Sequence, residues 1–166
     1  MPSRKGIYEA DDLDLAVLAG LISDARTTFK ELAIRNHSDQ RTIANRYEQM
    51  VKCGVIRKVT LDVDWFRLGL TVSAFIGSRT SMRETARKRL FDFIRKEPRI
   101  IECHAAIGAH EYLLKVMDRD ISTLRAEVGA PLEPLTAGLS TSVITETIKG
   151  TDYDGLFKYL RKTVLK

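Results

Sequence analysis

Apolar residues recur at helical spacing through the first third of the chain. Between Asp11 and Gly54, three such stretches are separated by short polar breaks. Spacings of three and four residues place the apolar side chains on one face of a helix, so the pattern predicts three packed helices. The apolar positions are Leu13, Val17, Leu18, Leu21 and Ile22 in the first, Leu32 and Ala33 in the second, and Ile43, Tyr47 and Met50 in the third.

Polar residues with capping chemistry mark the ends of these helices. Asp11 precedes the first helix, Thr28 and Glu31 have the spacing of a capping box, and Asp39 is a strong N-cap for the third. Gly54 is a typical C-terminal stop. The third helix is therefore predicted to begin just after Asp39 and to present a polar face opposite its apolar one. That face carries Arg41, Asn45, Glu48 and Lys52.

The second and third helices, joined by a polar turn at residues 36–38, have the plan of a helix-turn-helix whose second helix enters the major groove. Arginine pairs with guanine and asparagine with adenine, so we expect Arg41 and Asn45 to read bases. Arg46 and Lys52 are expected to contact phosphates, with an intramolecular ion pair as the alternative for Arg46. The alternative to DNA contact for all of these residues is a polar helix face that is exposed to solvent and binds nothing. The predicted DNA-binding residues are Gln40, Arg41, Thr42, Asn45, Arg46 and Lys52.

After Gly54 the hydrophobic pattern changes from helical spacing to β-rich segments. Residues 55–63 predict one or two extended segments, a wing and linker. The pattern beyond predicts strand, helix, strand, strand, helix and strand, which is the ferredoxin-like βαββαβ plan of an α+β protein. The predicted segments are Leu70–Ser78, Met82–Lys96, Ile100–Ile107, Glu111–Met117, a helix that Asp120 caps and that Gly129, Pro131 and Pro134 end, and Leu139–Ile148.

The tail from Thr151 to Lys166 predicts one more amphipathic helix. A docking helix with a solvated basic face is favoured there over contact with the DNA backbone. The predicted organisation is a helix-turn-helix domain at 1–56, a linker at 57–69, a ferredoxin-like domain at 70–149, and a C-terminal helical extension at 150–166. The apolar stripe of the last helix is Leu156, Tyr159, Leu160 and Val164, and its basic face is Lys158, Arg161, Lys162 and Lys166.

The distribution of charge supports the nucleic-acid interpretation. The formal net charge of the chain is +5. Residues 26–58 carry eight Lys and Arg against three Asp and Glu, residues 149–166 carry five against two, and residues 59–148 carry twelve of each. The positive charge therefore lies on the predicted DNA-reading unit and on the tail.

Other features of the chain narrow the class of protein. Cys53 and Cys103 are isolated, so neither a metal site nor another cofactor is expected, and each thiol is predicted to be a small buried hydrophobe. No signal-peptide pattern and no run of about 20 apolar residues occurs, which favours a cytoplasmic protein with no membrane partner. The sequence also contains no nucleophile elbow or phosphate-binding glycine loop.

The order of these motifs resembles the Lrp/AsnC family of transcription regulators over nearly all of residues 10–149. The chain departs from the family at residues 36–38, where members usually have a Leu-Gly-Leu-like turn. It departs again at Glu111, where they have aspartate. The segments that carry the resemblance are Asp11-Asp12-Leu13-Asp14, Val17-Leu18, Asp24-Ala25-Arg26, Glu31-Leu32-Ala33, Thr42-Ile43, Arg46, Gly54-Val55-Ile56, residues 108–116 (GAHEYLLKV) and Thr141-Ser142-Val143-Ile144.

This resemblance implies a regulator that binds double-stranded, pseudo-palindromic DNA, forms dimers and often assembles them into octamers. Family effectors are typically amino acids, bound in the ferredoxin-like domain where dimers meet. By position, Gly108, His110 and Glu111 would border that pocket, with the carboxylate meeting an α-ammonium group. A plain β-turn at Gly108 and a solvated Glu111 are the alternative for these residues.

An enzymatic alternative rests on histidine. The same two-domain plan resembles a branch of decarboxylases that act on the tetrapyrrole sirohaem. The candidates are His37, His104 and His110. His37 falls in the predicted DNA-reading turn, and His104 alternates with apolar residues on a strand, so we expect it to be a packed sheet residue. A DNA-binding regulator that is not an enzyme is therefore the favoured prediction, with no catalytic residue assigned.

Overall fold

The computed structural model describes residues 6–80, 84–151 and 153–163. The chain divides into two compact units. We call residues 1–61 with 149–166 the helix-turn-helix unit, and residues 62–148 the sheet unit. The elements in chain order are α1 (Asp12–Ser23), α2 (Phe29–Arg35), α3 (Gln40–Lys52), β1 (Val72–Thr80), α4 (Glu84–Lys96), β2 (Ile100–Ala105), β3 (Tyr112–Asp118), α5 (Ile121–Leu124), α6 (Ala130–Leu132), β4 (Thr136–Val143) and α7 (Asp154–Thr163).

The three N-terminal helices begin at the predicted caps. The Asp11 carboxylate accepts from the backbone N–H of Asp14, and the Asp14 side chain accepts from that of Asp11, which completes a capping box. Thr28 and Glu31 form a second capping box. These bonds satisfy N–H groups that a helix leaves open at its first turn.

The core of the helix-turn-helix unit comes from one face of each helix. The fully or nearly buried side chains are Val17, Leu32, Ala33, Ile43 and Met50. The Phe29 and Tyr47 rings contact each other beside this core in a tilted arrangement, with their centroids 5.3 Å apart. α3 ends where the backbone N–H groups of Val55 and Ile56 both donate to the carbonyl of Met50. The apolar stripes predicted for α2 and α3 therefore face inward.

The sheet unit is a four-stranded antiparallel sheet in the order β2-β3-β1-β4. Even-numbered side chains of β1 and β3 point to the face that the helices cover, because successive side chains alternate along a strand. That core contains Ala74, Ile76, Leu90, Leu114, Val116, Leu124, Val128 and Leu132. The βαββαβ order confirms the predicted ferredoxin-like plan.

Several predicted details of the sheet unit are wrong. The last strand occupies Thr136–Val143 rather than 139–148, because its partner β1 begins at Val72 and offers no backbone beyond that point. The helical segment that Asp120 caps also continues past Gly129 and Pro131, through a π-helical turn at Arg125–Gly129 and a final 3-10 turn at Glu133–Leu135, so of the three residues predicted to end it only Pro134 lies at its end. The wider π-helical turn accommodates Pro131 at the start of α6, where its missing N–H costs little. Met82 lies outside the described residues.

The predicted wing also does not form. Residues 57–64 belong to neither helix nor strand. Val59 and Leu61 are 64% and 82% exposed, and no strand among the described residues pairs with them. An isolated extended segment gains no ladder hydrogen bonds, so β propensity alone did not produce a strand.

Cys53 and Cys103 were both predicted to be small buried hydrophobes. Both are exposed in the structure, so this prediction is wrong.

Candidate nucleic-acid interface and effector site

The outward face of α3 carries the predicted DNA-reading residues. Gln40, Arg41, Asn45 and Lys52 are exposed. Thr42 is half-buried, and its backbone N–H and hydroxyl both donate to the Asp39 carboxylate at 2.8 and 2.6 Å. These bonds lower the pKa of Asp39. Thr42 therefore holds the N-terminus of α3, and the other four present their side chains to solvent.

The turn between α2 and α3 uses histidine where a glycine would be usual. His37 has a positive φ of 51°, in the left-handed region. The Asn36 side chain donates to the carbonyl of Leu32 at 2.7 Å, and the Ser38 backbone N–H donates to that of Ala33 at 3.0 Å. Side-chain and backbone bonds thus close the end of α2 and direct the chain into α3.

Arg46 has partners within its own unit. Its guanidinium lies 2.8 Å from the Asp11 carboxylate and 3.4 Å from that of Asp14. Asp14 is fully buried and also accepts from the Tyr8 hydroxyl at 3.1 Å. Arg46 therefore ties α3 to the start of α1, which is the alternative that the sequence left open for this residue. The structure does not present it with the exposed DNA-reading set.

Two pKa shifts accompany this cluster. The backbone N–H of Asp14 and the Arg46 guanidinium lower the pKa of Asp11, against an opposing effect of partial burial. Burial and the hydrogen bond to Asp14 raise the pKa of Tyr8. Both shifts favour an ionised Asp11 beside a neutral Tyr8.

The candidate effector residues lie in the loop between β2 and β3, which we call the β2–β3 loop (residues 106–111). Its ends are fixed where the Ala106 N–H donates to the carbonyl of Glu111 at 2.8 Å and the Glu111 N–H donates to that of Ser78 at 3.0 Å. Gly108 has a φ of +146°, which L side chains rarely adopt. Gly108 is thus needed for its backbone conformation, and a Cβ built there would meet no atom within 4 Å.

The loop approaches β1 closely at Gly77, a residue that the sequence analysis missed. A side chain at Gly77 would place its Cβ 2.5 Å from the His110 ring. The His110 Nε2 lies 3.1 Å from the Ser140 hydroxyl on β4. Arg79 also donates from Nε to the carbonyl of Ala109 at 2.8 Å. A glycine inside a strand is the signal that could have revealed this contact.

The face of the sheet opposite the helices is partly apolar. Phe75 and Leu113 lie on it and are 45% and 37% exposed. Beside them Glu102 accepts from His104 at 3.1 Å and lies 3.8 Å from Lys115. The bond from His104 and the charge of Lys115 lower the pKa of Glu102 despite partial burial. His104 is therefore an exposed residue in contact with Glu102, and the prediction that it packs within the sheet is wrong.

In the part of the chain that the structure describes, no helix is long and apolar enough to cross a membrane. Among the same described residues, no group of three or more His, Cys, Asp or Glu side chains has a metal-binding arrangement.

A capped helix-turn-helix and a ferredoxin-like sheet, carried by separate compact units, define a two-part DNA-binding regulator. Comparison with known proteins identifies the family. The Lrp/AsnC ligand-binding domain matches residues 73–153. The Bacillus subtilis transcriptional regulator AzlB is 32% identical over 145 residues, covering 85% of this chain and 92% of that protein. The Mycobacterium tuberculosis regulator AldR is 31% identical over 147 residues, covering 86% and 81%.

Solved structures of regulators from this family have the same fold as this chain. Bacillus subtilis LrpC is 26% identical with a TM-score of 0.78, covering 87% of this chain and 100% of that one. The Neisseria meningitidis regulator NMB0573, solved as a complex with L-Met, has the same fold at 23% identity and a TM-score of 0.78, covering 89% and 99%. The chain belongs to the Lrp/AsnC family and is a DNA-binding transcriptional regulator. Its relatives named here are transcriptional regulators, and nothing in these comparisons supports the sirohaem alternative.

Proposed function

We propose that this regulator reads its DNA site with Arg41 and Asn45 and that an amino acid bound at the β2–β3 loop modulates it. The observation that carries the first part is the exposed polar face of α3. Arg41 and Asn45 lie four residues apart on that face, and both are exposed. Residues at this spacing are neighbours on a helix and can contact adjacent base pairs in a major groove.

The test compares Arg41→Ala with Lys52→Ala, because both changes remove one positive charge from α3. Arg41→Ala should cost about 1–3 kcal/mol at a site selected by the full chain from a random DNA pool and much less on random duplex. Lys52→Ala should weaken both duplexes alike, since phosphate contacts carry no sequence information. Equal weakening of both duplexes by Arg41→Ala would contradict the base-reading role.

The effector proposal rests on the charges around the β2–β3 loop. An amino acid offers an ammonium group and a carboxylate. Glu111 supplies a carboxylate for the first, and Arg79 reaches the same loop with a guanidinium whose remaining N–H groups suit the second. The L-Met complex of NMB0573 shows that a regulator of this fold holds an amino acid. Preferential binding to one assembly state would change DNA affinity.

Thermal shift with each amino acid tests this proposal. An amino acid that raises the melting temperature of the native chain should lose most of that shift in Glu111→Gln and in Gly108→Val. Glu133→Gln, which removes an exposed carboxylate elsewhere in the sheet unit, should keep it. A shift that survives both loop changes places the ligand elsewhere, and no shift at millimolar ligand contradicts an amino-acid effector.

We also propose that the chain is at least a dimer that covers the outer face of its sheet. Phe75 and Leu113 leave apolar surface there, and one recognition helix contacts too few bases to single out a site. Light scattering at micromolar protein should exceed the 18.8 kDa of one chain. Phe75→Glu should lower that mass, whereas Ile121→Glu, at an exposed position on a helix of the sheet unit, should leave it unchanged. A native chain that scatters as a monomer would contradict the dimer.

A further inference from the structure

The C-terminal helix α7 belongs to the helix-turn-helix unit, although the whole sheet unit separates them in sequence. It packs against α1 and turns Phe157 and Leu160, which are half-buried, inward. Arg161 lies 4.0 Å from the Asp12 carboxylate. A shallow groove beside this contact is lined by Asp12, Leu13, Ala16, Asn36 and Arg161.

That groove places α7 near the DNA-facing end of the motif. Asn36 is the first residue after α2, and its side chain helps to close the turn that leads into α3. In a helix-turn-helix the recognition helix contacts base edges with its N-terminal residues, so the turn before it lies close to the duplex. Arg161 shares a surface groove with that turn and at the same time offsets the negative charge of Asp12.

Lys158 and Lys162 are both exposed and lie four residues apart on α7. At a rise of about 1.5 Å per residue their side chains leave the helix about 6 Å apart on one face. Lysine at this spacing suits two phosphates of a single DNA strand. The tail also adds to the positive charge of the unit, because residues 149–166 carry five basic against two acidic residues.

We propose that α7 is a second DNA-contacting element of this regulator, in which Lys158 and Lys162 bind backbone phosphates beside the recognition helix. The occupant is the phosphate backbone of the DNA duplex bound by α3. The proposal rests on DNA binding by α3 and adds a contact that is independent of sequence. It replaces the solvated basic face that the sequence analysis favoured.

The experiment measures how DNA affinity of the full chain depends on salt, by fluorescence anisotropy between about 50 and 200 mM monovalent salt. The probes are a duplex selected by the full chain from a random pool and a random duplex of equal length. Lys158→Ala with Lys162→Ala should make the slope of log affinity against log salt shallower by about 1 for each lysine removed. Both duplexes should weaken by the same factor.

Lys88→Ala with Lys96→Ala is the matched control, because it removes two exposed lysines from α4 in the sheet unit. It should leave the slope unchanged. Alanine favours helix, so the α7 variant should keep its helix, and circular dichroism and melting of both variants check this. If the Ala variant does fail to fold, Lys158→Gln with Lys162→Gln replaces it.

An unchanged slope in a folded α7 variant, with the native chain still binding both duplexes, overturns the proposal and leaves the recognition helix in place. A native chain without salt-sensitive DNA binding overturns the DNA-reading proposal itself. α7 also exposes Leu156 and Tyr159, so vesicles of equal parts phosphatidylserine and phosphatidylcholine are a further probe. Vesicle binding that is lost in the α7 variant, with an unchanged DNA slope, would assign the helix to an anionic membrane surface.

Discussion

The recognition helix and the β2–β3 loop obtain their geometry in different ways. α3 is fixed at its start by Asp39 and Thr42 and at its end by bonds within six residues of Met50. The β2–β3 loop is fixed by Gly77 and Ser78 on β1 and by Ser140 on β4, about thirty residues away in either direction. A change in α3 should therefore act locally, whereas a change under the loop should act at a distance.

We expect the largest effect from Arg46→Ala, which is the exception to this contrast. Arg46 lies on α3, but its partners are Asp14 on α1 and Asp11 just before it. Among the described residues, Arg46→Ala leaves the buried Asp14 carboxylate with two hydrogen bonds, one from the Tyr8 hydroxyl and one from the backbone N–H of Asp11. Loss of one partner of a buried ion pair costs several kcal/mol, and the partial exposure of Arg46 reduces this, so we expect about 2–4 kcal/mol. Chemical denaturation of the native chain and the variant measures it.

Arg41→Ala is the control for that experiment, since Arg41 is an exposed residue of the same helix. It should change the free energy of unfolding by no more than about 0.5 kcal/mol. If Arg46→Ala left stability unchanged and weakened DNA binding, Arg46 would be a phosphate contact, as one of the two sequence-based interpretations has it.

Gly77→Val tests the contact beneath the loop. Its Cβ would meet the His110 ring and force the loop away from β1, which we expect to cost about 1–3 kcal/mol by overpacking. The amide signals of residues 106–111 should shift with it in a nuclear magnetic resonance spectrum. Gly138→Val adds the same side chain where nothing lies within 4 Å and should leave those signals in place.

Asp39→Ala tests whether the start of α3 is fixed by contacts close in sequence. It removes the carboxylate that accepts from Thr42 and should cost about 1 kcal/mol. Because the first turn of α3 then frays, DNA affinity should fall by a similar amount, and Asp39→Asn should restore most of both. A full loss of folding would show that this cap does more than hold a helix end.

The smallest effect concerns Asp120, which caps α5 with the same Asp-x-x-Thr pattern. Bonds from Ser122 and Thr123 lower its pKa from 3.8 to about 2. A lowered pKa in the folded state stabilises the fold above the unfolded value of 3.8, and that contribution is lost as pH falls toward 2. Asp120→Asn keeps a cap without a charge, so its melting temperature should fall less than that of the native chain between these pH values.

These two caps show what could be predicted from sequence. Each Asp-x-x-Thr pattern acts over three residues, so the start of both helices followed from local chemistry. The end of α3 followed as well, because Gly54 has a positive φ just past its C-cap. The end of α5 did not, because that helix runs for four residues before the backbone widens into a π-helical turn. Helix length depends on what the apolar face packs against, which local spacing does not describe.

The candidate sites also differ in how much of them could be predicted from local sequence. The exposed face of α3 was predicted residue by residue, because helical periodicity assigns each side chain a direction. Gly77, Arg79 and Ser140 were missed, since they reach the β2–β3 loop only through the register of three strands. A shift of one residue in that register would turn each of them to the opposite face. The ion pair of Arg46 could not be chosen over a phosphate contact from sequence, because it depends on the burial of Asp14. In the sequence Asp14 looks like any acidic residue in the first turn of a helix.

The return of α7 to the helix-turn-helix unit has a consequence for how the protein is made. Residues 1–61 leave the ribosome first, but the segment that packs against α1 follows only after all of residues 62–148. The DNA-binding unit is thus a discontinuous domain, closed by a segment that is synthesised after the whole sheet unit. A fragment cut after Leu61 is an incomplete version of it, and a faithful isolated domain needs residues 149–166 joined by a linker.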